Sequence, residues 1–234
     1  MRRTIPLALL AALIGASTGT PADAAGRPVV VELFTSQSCS SCPPAEALLG
    51  QLAGEGREVL PLAFHVTYWD HLDWRDTYAL PAATRRQAAY ADRLGGGSYT
   101  PEAVVDGRVG LVGSDAVAVR GAIATARGVA SAEAAVTLAR RGNTLVVAVG
   151  AGQGAGTVTL VGFDPSHATR VARGENAGRT IAQANVVRAV SDIGRWSGQA
   201  ATWETPLPAG ADAAVIVQGA DGRILGAARL GPAT

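Results

Sequence analysis

A chain of 234 residues, 48% hydrophobic and 17% charged, has room for one or two packed domains at about 150 residues each. Its formal charge of +1 excludes a strongly basic nucleic-acid binder and a disordered acidic chain. All 20 basic residues are arginine, which also excludes Schiff-base chemistry, a P-loop lysine and a Ser-Lys dyad. Two cysteines, three histidines and one methionine, Met1, leave few ligands for any metal site.

Arg2 and Arg3 precede the apolar run Ile5 to Ile14, and small residues then lead to Ala22-Asp23-Ala24. This pattern predicts a secretory signal peptide over residues 1–24. The run is shorter than the roughly 20 residues that span a bilayer, so no membrane span is expected after its removal. The expected location is periplasmic or secreted, where a disulfide persists.

Val29 to Phe34 reads as a buried strand that runs into the turn-prone Thr35-Ser36-Gln37-Ser38. Cys39-Ser40-Ser41-Cys42 follows, then Pro43 and Pro44, then Leu48, Leu49 and Leu52 at helical spacing, so the CxxC begins a helix. Val59 to Val66 reads as a second strand, leading into the aromatic stretch 68–74, and residues 81–94 read as a helix. Beyond Gly95-Gly96-Gly97 and Thr100-Pro101, two short apolar runs flank Asp106-Gly107, a hairpin signal. Ser114 or Asp115 can cap a third helix, through about Arg127.

The texture changes from Ser131 onward. Short runs at 134–139, 144–149, 157–163, 213–218 and 224–228 are separated by Gly, Asn and Pro, and helical periodicity disappears. The sequence thus predicts an α/β domain over 27–128 followed by an all-β, sandwich-like domain over 131–234, with the junction at Gly128 to Ser131 and a packed interface between the two.

A CxxC at a helix start after a buried strand suits redox chemistry, because amide donors and the helix dipole stabilise a thiolate there. Cys39 is the expected nucleophile at the exposed helix end, and Cys42 is spaced to resolve a mixed disulfide. A c-type haem site is excluded, since Pro43 stands where its histidine would be. A purely structural disulfide would close a two-residue loop and contribute little. A copper or zinc carrier using Cys39, Cys42 and His65, and a non-catalytic interaction module, remain as alternatives.

These motifs resemble the thioredoxin fold over about Arg27 to Arg127. More narrowly, the chain resembles an uncharacterised family of secreted bacterial thioredoxin-like proteins, a domain of unknown function with a CSSCPP motif. The resemblance rests on Val31 to Gln37, Cys39 to Pro44, Phe64-His65-Val66 with Tyr68-Trp69-Asp70, Tyr99-Thr100-Pro101 and Arg173 to Arg179. Ser38 and Thr67 depart from it, at positions where Gly and Asp are expected. The resemblance implies a thiol-disulfide oxidoreductase with Pro101 as a cis-proline beside Cys39, no cofactor and no resident metal. Its partner would be a thiol- or disulfide-containing protein or a small thiol, not a nucleic acid. It also makes Glu32 a candidate buried acid assisting proton transfer, with a salt-bridged structural glutamate as the alternative. His65 and the neighbouring aromatics read either as core or as part of the site. Arg173, Glu175, Asn176 and Arg179, with Asn185 and Arg188, read either as an internally bonded loop or as a surface that meets the first domain or a partner.

Overall fold

The computed structural model describes residues 26–129 and 133–231, so the predicted signal segment and Ala130-Ser131 of the expected junction lie outside the described residues. Strand β1 (Val29–Thr35) is buried along its whole length, as a β-branched run flanked on both sides must be. It pairs parallel with β2 (Val59–His65) and antiparallel with β3 (Glu102–Val105), which continues through a hairpin into β4 (Val109–Val112). Asp106 and Gly107 both take positive φ at that turn, 54° and 69°, as the Asp-Gly pair predicts.

Helix α1 (Pro43–Gly54) starts on its two prolines and buries Ala45, Leu48, Leu49 and Leu52 against one face of β1, together with Val119, Ile123 and Ala126 of α3 (Ala116–Val129). The Asp115 carboxylate caps α3 by accepting the Ala118 amide at 3.0 Å. Helix α2 (Pro81–Leu94) lies on the opposite face, where Ala83 and Tyr90 join Val30, Phe34, Leu62 and Phe64 in a second cluster.

Beyond the junction come β5 (Val136–Arg141), β6 (Thr144–Val149), β7 (Gly156–Arg170), β8 (Thr180–Trp196), β9 (Ala201–Pro206), β10 (Asp212–Gly219) and β11 (Ile224–Arg229). They do not form a free-standing sandwich. Four of them extend the first sheet into a mixed eight-stranded one, in the order β11-β10-β7-β8-β2-β1-β3-β4, and β5-β6-β9 form a small second sheet. The join is short: β2 meets β8 at Ala63 and Val186, Pro61 has no amide to donate, and the Pro61 carbonyl takes the Asn185 side chain at 2.7 Å. The sheet curls back on itself, so Val161, Phe163, Ala214, Ile216 and Ile224 pack in the same cluster as Val30, Phe34 and Phe64. On its far face, Val158, Leu160, Val215 and Trp196 pack on Leu145 and Val147 of the small sheet, which gives that end a local sheet-on-sheet layer. Arg27 fastens a separate contact between the two halves, gripping Asp106 of the β3-β4 turn at 2.6 and 2.7 Å and the Ile224 carbonyl of β11 at 2.7 Å.

Candidate functional site

Cys39 and Cys42 form a disulfide at the head of α1, with Cα atoms 5.4 Å apart. The Cys42 carbonyl accepts the amides of Ala45 and Glu46 at 2.9 and 3.1 Å, which starts the helix without a side-chain cap. Pro43 and Pro44 have no N–H, so the first turn offers few free donors to a thiolate. The Ser41 hydroxyl lies 3.3 Å from Cys39 Sγ. The expectation of an exposed Cys39 is corrected as well: both cysteines are 1% exposed, while Ser40 and Ser41 between them face solvent.

A hairpin arm from the second half reaches this loop. Beyond Asp164, β7 and β8 continue as a two-stranded arm to a tip at residues 171–179. Asn176, fully buried at the tip, donates its side-chain amide to the carbonyls of Gln37 and Cys39 at 3.0 and 2.9 Å. Glu175 accepts the Ser40 amide at 3.2 Å. Of the two roles open to the polar segment, contact with the first half is therefore the one that Glu175 and Asn176 take, while Arg179 bonds internally to Asn176 Oδ1 at 3.0 Å. Arg188 instead pairs with Asp164 at 2.6 Å. Gln37 grips the shaft of the arm, donating to Thr169 and Gln183 at 3.1 and 3.3 Å and accepting from Trp74 Nε1 at 2.9 Å.

A buried acid and histidine cluster lies beneath the loop. Glu46, one helical turn beyond Cys42, accepts the Thr35 hydroxyl at 2.8 Å, and its other oxygen has no hydrogen-bond partner among the described residues. His65 Nδ1 is 2.7 Å from Asp76, and its Nε2 faces the Gln183 amide at 3.2 Å and Glu46 at 3.9 Å. Burial pushes the Glu46 carboxyl above its ordinary range, against the opposing pull of His65 and Thr35. Burial works against a charged His65, but Asp76 and then Glu46 outweigh it and hold its pKa above the ordinary value. Burial likewise works against the Asp76 charge, yet His65 and the amides of Gln37 and Tyr78 bring that carboxyl below its usual range. Both nitrogens of His65 are engaged in this cluster, and among the described residues no three His, Cys, Asp or Glu side chains gather as metal ligands.

The other candidates fall elsewhere. Glu32 faces away from α1, on the side of β1 shared with Val30 and Phe34, where Arg86 grips it bidentately and the Tyr90 hydroxyl donates to it. The structure thus does not bring Glu32 to the cysteines. The Thr100-Pro101 peptide bond is cis, and Pro101 lies with Leu33 and Ala45 around Gly113, close to the first turn of α1. Trp69 Nε1 donates to the Thr100 hydroxyl at 2.8 Å, whereas His71 is exposed and its ring bonds the Tyr68 carbonyl. Sequence reasoning missed Glu46, although its spacing of four from Cys42 was available, and missed Gln183, for which no local signal exists; Asp76 stood out only as one of three acids, with Asp70 and Asp73, in the segment after His65.

The family described as protein of unknown function (DUF1223) matches residues 30–218, a span that holds both cysteines, the acid and histidine cluster and the arm. The chain belongs to this family. A crystal structure of a protein from Agrobacterium tumefaciens is similar at 30% identity and a TM-score of 0.77, covering 88% of this chain and 94% of that one. HBP35 of Porphyromonas gingivalis shares the fold at 15% identity and a TM-score of 0.64, covering 88% of this chain and 75% of that one. No curated protein matches the chain. Among the described residues, no helix is long and apolar enough to cross a membrane.

Proposed function

We propose that this DUF1223 chain is a periplasmic or secreted thiol-disulfide oxidoreductase whose first half is a thioredoxin-like unit. The observation that carries the reading is the Cys39-Cys42 pair at the head of α1, directly after a buried strand and one turn from the buried acid Glu46. The order strand, CxxC helix, strand, helix, hairpin, helix supports the thioredoxin-like part. The leader-like residues 1–24 support export.

In the oxidising direction, a partner thiolate attacks Cys39 Sγ. The Cys39-Cys42 bond breaks, and Cys42 leaves as a thiolate that takes a proton from Glu46. A second partner thiol then attacks the partner's own sulfur in the mixed disulfide and expels Cys39. The partner's two thiols become a disulfide and its two electrons end on the cysteine pair; Cys42 keeps the proton from Glu46, Cys39 takes the proton of the second partner thiol, and Glu46 recovers the proton that the first partner thiol released on ionising. Run backwards, the same steps reduce a partner disulfide. Glu46 rather than Glu32 is the proton carrier in this scheme, because it shares the helix face of Cys42.

The test is alkylation of the reduced chain with limiting reagent near neutral pH. Cys39 is expected to label first, and Cys42→Ser should accumulate a stable mixed disulfide at Cys39 with a chromogenic small thiol. Preferential labelling of Cys42, or no mixed disulfide in that variant, contradicts the assignment.

A further inference from the structure

We infer that Asn176 is a positioning residue of the thiol site, and that the arm tip it fastens is a cover that must lift before either sulfur is attacked. The inference rests on the redox reading above and adds to it a control of access.

Three observations carry it. The first is burial. Cys39 and Cys42 are each 1% exposed although the two residues between them face solvent. The second is the aim of the contacts. Asn176 comes from the far half of the chain and spends both amide hydrogens on the motif, one on the Gln37 carbonyl and one on the Cys39 carbonyl. Glu175 takes the Ser40 amide, so two neighbouring tip residues hold Gln37, Cys39 and Ser40 of the loop. Arg179 occupies Asn176 Oδ1, which fixes the orientation of the amide and leaves its donors facing the loop.

The third observation is that the tip is built to come away as a unit. It is closed by its own bonds, from the Val171 amide to the Arg179 carbonyl and from the Gly178 amide to the Val171 carbonyl, both at 2.9 Å. Gly174 and Gly178, at φ near +80°, shape it. Apart from Val171 and Asn176, every residue from 171 to 179 is exposed, and the bonds that tie the tip to the loop are all polar. Its hold is polar, and hydrogen bonds of this kind exchange for water at small net cost. Gln37 grips the shaft at Thr169 and Gln183, so only the residues beyond that grip have to move. A purely structural tie would leave access to the sulfurs unaffected by loss of Asn176, and that difference decides the matter.

The experiment follows reduction of the disulfide in the folded chain by a small water-soluble phosphine and, separately, by a protein dithiol reductant. Asn176→Ala, and Asn176→Asp, which keeps the volume but loses the donors, should each raise the phosphine rate about tenfold and the protein-reductant rate by more. The equilibrium potential of the couple should shift far less than either rate. Glu175→Ala removes one exposed contact and should raise the rates about threefold; it decides the outcome if the Asn176 variants do not fold. Unchanged rates in folded variants overturn the cover. A disulfide that no reductant opens without denaturant, in the parent or in any variant, overturns the redox reading instead.

Discussion

Glu46 and His65 hold protons in the folded chain that they would release when unfolded, and Asp76 does the opposite. Burial raises the Glu46 carboxyl above its ordinary 4.5, and His65, although burial opposes its charge, is raised above its ordinary 6.5 by Asp76 and then by Glu46. The stability tied to a raised pKa is complete below the unfolded value and is lost as pH rises through the folded one. Asp76, held below its ordinary 3.8, contributes stability that disappears as pH falls through its folded value. Stability should therefore peak in mildly acidic solution. It should decline in two overlapping steps as pH rises, the first beginning near 4.5 and the second near 6.5, at about 1.4 kcal/mol per unit of displaced pKa. Urea midpoints measured across that range check this. Glu46→Gln should flatten the first step and, by removing one of the charges that raise His65, shrink the second, whose larger support from Asp76 remains; an unaltered profile would show that the Glu46 carboxyl is not held protonated by its site.

At the scale of elements, the β3-β4 turn and α1 give opposite outcomes for the same substitution. A Cβ on Gly107 would stand 2.0 Å from the Gly222 carbonyl oxygen, at a φ of +69°, so Gly107→Ala should cost about 2 kcal/mol. Gly50 is exposed within α1 with nothing within 4 Å of its added Cβ, and Gly50→Ala should stabilise by about 0.5 to 1 kcal/mol. Denaturant unfolding of the two variants measures both signs. This turn and helix were legible in the sequence because their signals are local: Asp-Gly for the turn, two prolines and a leucine stripe for the helix. The arm was not legible. Distal β7 alternates only weakly, the buried side of distal β8 carries the polar Gln183 and Asn185 beside Ile181, and Asn176 meets the Cys39 carbonyl across 137 positions of sequence, a separation that no local pattern encodes.

In the whole molecule the strands beyond the junction were legible as β structure, but not as part of the first sheet. That continuity depends on a single β2-β8 bridge, on Asn185 answering the carbonyl of Pro61, and on a core in which Phe34 and Ile216 share one cluster. Such pairings are set by tertiary packing, to which runs of hydrophobic residues are blind. The consequence for the site is direct: the second half is anchored to the first along a sheet and can therefore hold its arm over the thiol loop. A thiol pair placed in this way should cycle. The most direct measurement is a redox titration of the full chain in thiol-disulfide buffers, with the states of Cys39 and Cys42 read by alkylation and mass. The account predicts a reversible two-electron transition in which both cysteines convert together, between about −270 and −120 mV. A disulfide that stays closed to below about −300 mV, as inert structural bridges do, would contradict it.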